Sequence, residues 1–128
     1  MNYKDLKVYQ RSYKMAIEIY REVRSFPKEE IFGITSQIKR ASTSIPLNIA
    51  EGFAKNESEN EFKRFLLMAI GSCDEMRVLI DMSKDLGYIS EEKHGAYEKE
   101  YEEIGKMLTS LRKKWQKKLA SSYLNSSF

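Results

Sequence analysis

IKRASTSIPLNIAEGFAK, residues 38–55, has the spacing of a helix and a proline in its middle. Ile38, Ile45 and Ile49 recur at turn spacing, yet Pro46 has no amide hydrogen to offer a carbonyl one turn back. In an isolated helix interior this costs about 3 kcal/mol, through the lost bond and the clash of the ring with the Ser42 carbonyl. The hydroxyls of Ser42, Thr43 and Ser44 can bond carbonyls one turn back, and a bend relieves the crowding. Two readings stand. Either packing holds one kinked helix, or the chain breaks here into two short ones.

Working outward, Gly33 makes a joint before this segment, so a helix is predicted over residues 34–55. Upstream, Leu6, Tyr9, Tyr13, Ala16, Tyr20 and Val23 alternate in steps of three and four, which predicts a first helix over 3–25 with those residues as its core stripe. SFPKEE ends it, because the residue before Pro27 is driven out of the helical region. Downstream, Ser58 and Glu61 form the S-x-x-E of a capping box. The third helix follows with Phe62, Phe65, Ala69, Cys73, Met76 and Ile80 on its core face, and Gly87 supplies a left-handed end. Ser90 caps a fourth helix with the stripe Tyr97, Tyr101, Ile104, Leu108, Leu111 and Trp115. Four helices with short connections predict an all-α, antiparallel up-and-down four-helix bundle over residues 1–119, with SSYLNSSF inside a frayed tail at 120–128.

Composition agrees with that architecture. A chain of 128 residues, 32% charged and 41% hydrophobic, suits one domain with an ordinary core and is too apolar for disorder. The lone Cys73 excludes an intrachain disulfide. MNYKDLKVYQRSYK is too charged for a secretory segment, and no apolar run approaches the ~20 residues that span a bilayer. The expected location is the cytoplasm, with no membrane partner.

Two faces exceed what a monomeric bundle needs. At helical spacing Gln37, Arg40, Ser44, Asn48, Glu51 and Lys55 gather beside the isoleucine stripe of the second helix. Such a row is either solvated or buried against another helix or subunit, where each polar group needs a partner. The third helix carries a second stripe of Met68, Gly71, Ser72, Glu75, Leu79 and Met82, displaced from its core face. That stripe predicts a further neighbour, Gly71 and Ser72 permitting close approach and Glu75 needing a cation such as Arg40.

The words of these segments are also distinctive. Q-I-K-R-A-S-x-S-I-P-x-N-I-A-E-G at 37–52 and E-F-K-R-F-L-x-x-A-x-G-S-x-x-E at 61–75 resemble the bacterial four-helix-bundle family of 23S rRNA intervening-sequence proteins. FPKEE-x-FG at 26–33 fits as well, although Ile34 follows where leucine is common. The resemblance spans about residues 3–118 and implies a ring-like homopentamer with basic surfaces directed at nucleic acid. The accessory proteins of diversity-generating retroelements are similar in fold. No catalytic residues come with the resemblance. Arg40, Ser44, Asn48, Glu51, Gly71, Ser72 and Glu75 are the matching motif residues, and their types suit a subunit-interface network.

Catalytic chemistry finds little support. Nucleophilic catalysis needs a base within reach of the nucleophile, and the single histidine, His94, stands among Glu91, Glu92 and Lys93, where a surface position is expected. Cys73 falls on a core stripe and is expected to be inert. No metal or cofactor site is predicted, and the acids Glu57, Glu59 and Glu61 match the dipole of a helix start.

Basic residues say more. Lys106, Arg112, Lys113, Lys114, Lys117 and Lys118 occur without an acid between them, and Lys99, Lys106, Lys113 and Lys117 share a helix face. Lysines also complement the dipole at a helix end, so this run is either dipole compensation or a phosphate-binding surface. The net charge is only +3; five copies would carry +15 and repeat the patch around a ring. The sequence therefore predicts a non-enzymatic oligomer binding RNA or DNA without base readout, with Lys99, Lys106, Arg112, Lys113 and Lys117 as contacts. A protein-interaction module with no nucleic-acid ligand is the alternative.

Overall fold

The computed structural model describes residues 2–115. Its helices are α1 (Lys7–Glu22), α2 (Ile34–Ala54), α3 (Glu59–Asp85) and α4 (Glu91–Lys114), with short 3-10 turns at Tyr3–Asp5, Val23–Ser25 and Lys28–Glu30 and no strand among the described residues. α2 runs through the buried Pro46 as one helix, so the break into two is excluded. The hydroxyls near it bond carbonyls one turn back, those of Lys39 and Arg40. Ser42 Oγ donates to Lys39 O at 3.0 Å, and Thr43 Oγ1 lies 2.9 Å from Lys39 O and 3.1 Å from Arg40 O.

Local signals end the helices. Ser58 Oγ accepts from the Glu61 amide and Ser90 Oγ from the Lys93 amide, each satisfying one orphan donor of a first turn. The capping box at Ser58 is only half made, because the Glu61 carboxylate turns outward to Arg64 at 2.7 Å. At the end of α3, Gly87 adopts φ 79°. The Gly87 amide bonds to Lys84 O and the Tyr88 amide to Ser83 O, the paired bonds of a Schellman cap.

α1 departs in part from its predicted face. Leu6 is extended (φ −73°, ψ 125°), so α1 begins at Lys7 and not at residue 3. It buries Val8, Ser12, Met15, Ala16 and Ile19, whereas Tyr13 and Tyr20 are 53% and 41% exposed. Leu6, Ala16 and Val23 of the predicted stripe are buried, whereas Val8, Ser12 and Ile19 each lie one residue, about 100°, before one of its tyrosines. A phenol draws tyrosine to the edge of a core, and aliphatic side chains take the centre.

Sequential helices pack against one another, α1 with α2, α2 with α3 and α3 with α4, while α1 and α4 meet more sparsely and α1 and α3 stand diagonally. That is the up-and-down arrangement. The α2–α3 approach is close: a Cβ at Gly52 would lie 2.5 Å from Phe65 Cβ and 3.0 Å from Phe62 Cδ1. Next to it the rings of Phe53, Phe62 and Trp115 meet edge to face, Phe62 and Trp115 at 4.5 Å. At the other end Tyr88 Oη donates to Glu30 at 2.7 Å and its ring packs on Phe26, tying the α1–α2 connection to the α3–α4 connection.

Candidate nucleic-acid interface

Lys99, Lys106 and Lys113 recur every seven residues along α4 and are all exposed. Their freedom differs. Lys106 pairs with Glu102 at 3.0 Å and holds that carboxyl below its ordinary range. Arg112 Nε donates to Lys63 O at 3.2 Å, joining the last turn of α4 to the first turns of α3. Lys113 makes no ion pair among the described residues, and Lys117 lies outside them. Lys106 and Lys113 line a groove of about 580 Å³ between α3 and α4 together with Arg77, Ser110, Asp74 and Glu102. Arg77 is itself bonded to Glu98 at 2.8 Å. Buried Cys73 and Tyr101 form part of the lining as well. Burial pushes the Cys73 thiol up to about 12, with Asp74 adding to the effect, so the thiol stays protonated and unreactive near neutrality.

The motif residues divide into two groups. Ser44 and Ser72 share a hydrogen bond at 2.9 Å, and Asn48 Nδ2 donates to both the carbonyl (2.8 Å) and the hydroxyl (2.9 Å) of Ser44. These three satisfy one another across the α2–α3 seam inside the chain. Arg40, Glu51, Met68, Gly71, Glu75 and Met82 are exposed. Glu51 pairs with Lys55 at 3.3 Å, and among the described residues neither Arg40 nor Glu75 forms an ion pair. A Cβ on Gly71 would meet nothing within 4 Å. Leu79 corrects the second stripe: at 4% exposure it belongs to the core, where the wide apolar face of α3 absorbs it.

His94 is a second correction. Its side chain is only 19% exposed, and Nε2 lies 2.7 Å from Asp81 Oδ1 on α3. Glu98 stands one turn further along α4, and ligand-type atoms of Asp81, His94 and Glu98 fall within 4.8 Å of one another. Local spacing around His94 shows only acids and a lysine; the carboxylate it binds comes from another helix. With Glu98 taken by Arg77, these groups serve as a polar clasp between α3 and α4.

The sequence profile described as 23S rRNA-intervening sequence protein matches residues 4–110. The chain belongs to that family. A crystal structure from Bacteroides thetaiotaomicron, of a protein with unknown function from the S23 ribosomal protein family, is 26% identical with a TM-score of 0.75, covering 83% of this chain and 95% of that one. Among curated proteins none matches significantly. No helix among the described residues is long and apolar enough to cross a membrane. In this member of the intervening-sequence family, the motif N-I-A-E-G acquires a structural meaning that sequence reasoning missed. Its glycine, Gly52, is where α2 lies against Phe65.

Proposed function

We propose that the protein is a non-enzymatic, cytoplasmic homo-oligomer, ring-like and pentameric as the family resemblance implies, that binds RNA or DNA through its phosphates without reading sequence. The observation that carries this reading is the α3–α4 groove, where the cations Arg77, Lys106 and Lys113 outnumber the carboxylates Asp74 and Glu102 in the lining and Lys113 forms no ion pair among the described residues. Positive groups along a groove attract a phosphate chain and release its condensed counterions, whichever bases it bears.

Assembly has its own support. Tyr13 and Ile17 on α1, and Leu67, Met68, Val78 and Met82 on α3, are exposed apolar side chains. Because α1 and α3 are diagonal, the two patches face different directions. Unlike patches on different faces favour head-to-tail contact, the arrangement that closes into rings.

The test is fluorescence anisotropy of a random-sequence RNA and a DNA duplex across a salt series. Substituting Lys99, Lys106 and Lys113 by alanine should weaken binding to unrelated sequences alike and flatten the salt slope by about one unit for each lost contact. Equal affinity and equal slope in the triple variant would leave these lysines as surface charge and favour the interaction-module reading.

A further inference from the structure

Phe32 is 97% exposed, the most exposed of the large apolar side chains among the described residues. It stands beside a groove of about 630 Å³ between α1 and the start of α2, lined by Tyr20, Phe32, Thr35, Ser36, Lys39 and Arg40 among others. Two features of this groove point to one kind of ligand. Its lining contains two cations and no carboxylate. Lys39 Nζ is held 5.1 Å from the centroid of the Tyr20 ring, which fixes an ammonium at the wall, and Arg40 forms no ion pair among the described residues.

A flat apolar ring open to solvent with two cations beside it matches a base with its phosphate. Every base has a π-face, so a phenylalanine accepts any of them, and only an unpaired base can leave a stack to reach it. A second copy of this chain fits less well, since it would bring a net positive charge to a groove that is already basic. We infer that the α1–α2 groove is a stacking site for one unpaired base of single-stranded RNA or DNA, with Phe32 against the base and Lys39 and Arg40 at the adjoining phosphates. The inference rests on the nucleic-acid reading above and adds to it a preference for single strands, housed at a different place from the α4 lysines.

The experiment compares the full chain with Phe32→Ala, Phe32→Tyr and Arg40→Ala. The probes are an unstructured 12-nucleotide RNA, the same sequence as DNA, and a duplex of that length, each labelled for anisotropy. A second set of the single strands carries 2-aminopurine, whose fluorescence is quenched on stacking. Phe32→Ala should weaken both single strands about 5- to 100-fold and abolish the quenching, with duplex affinity unchanged. Phe32→Tyr should restore both readouts, and Arg40→Ala should weaken single strands while lowering the salt slope. At near-complete exposure Phe32 contributes nothing to the core, so loss of folding does not confuse the result. Single-strand binding and quenching that survive Phe32→Ala overturn the inference and leave the α4 surface standing. If Phe32→Ala changes the sedimenting mass and lowers single-strand and duplex binding equally, the groove holds a second copy and the inference is wrong. A parent protein that binds neither strand nor duplex removes both readings.

Discussion

The α2–α3 and α1–α4 seams solve the same packing problem in opposite ways. At the first, small residues bring the backbones together: Gly52 lies under Phe65, and Ser44 and Ser72 touch hydroxyl to hydroxyl. At the second, long side chains reach across a wider gap. Arg11 grips both oxygens of Glu100 at 3.0 and 2.6 Å, Tyr97 donates to Glu22 at 2.6 Å, and Lys93 reaches the same carboxylate at 3.3 Å. A close seam has its separation written into the backbone and admits no substituent. A bridged seam is held by partly exposed charges, each worth little in water and each sensitive to salt and pH. Stability should therefore be concentrated at α2–α3, and adjustability at α1–α4.

The severest way to break that contrast is Gly52→Leu, which forces atoms into the volume of Phe65. Overpacking of this kind should cost about 3 kcal/mol, read from urea denaturation. A parent-like midpoint would mean that the seam can open and that its tightness is incidental.

Alkali should act on the other seam. Burial first, then the bond to Glu22, raises the Tyr97 phenol above its ordinary 10.0. An acid whose folded-state pKa is raised contributes stability that is complete below the unfolded value and is lost as pH climbs past it, here above pH 10.0, at up to about 1.4 kcal/mol per pH unit. Cys73 adds a similar loss between 9.0 and about 12. Urea midpoints at rising pH should therefore fall, and Tyr97→Phe should make the fall shallower. An identical decline in the variant would remove Tyr97 from the account.

A double-mutant cycle on Arg11 and Glu100 should give a coupling of at most about 1 kcal/mol, shrinking at high salt, because both side chains remain partly exposed. Coupling that persists undiminished in molar salt would show the pair to be shielded from solvent. The smallest effect on stability belongs to the other glycine of the motif segments. Gly71→Leu has open space around it in the single chain and a better helix former in place of glycine, so its denaturation midpoint should be no lower than the parent's while ultracentrifugation reports a changed mass. An unchanged mass would show that the exposed stripe of α3 is not a subunit contact.

Helix ends were legible because the residues that make them are neighbours in the chain: Ser58, Ser90 and Gly87 each act within one turn. The core faces of α3 and α4 were legible for the same reason, their stripes being dominated by residues with one preference. α1 misled because tyrosine fits the apolar period and still seeks water. What crosses between helices was hidden. No local pattern tells that Asp81 meets His94, that Gly52 sits under Phe65, or that Leu79 turns into the core and leaves Met68, Gly71 and Met82 outside.

An even number of antiparallel helices returns the chain to the side from which it set out. The turn at Tyr3–Asp5 and the capping residue Trp115 both lie at the end where Ala54 leads into Glu59, Trp115 packing on Phe53 and Phe62. Phe32 sits at the opposite end, the length of α2 away, about 30 Å at the usual rise per residue. A dye attached at Asn2 is thus remote from the exposed phenylalanine, and a pair of dyes at those two positions makes a molecular ruler along the bundle axis.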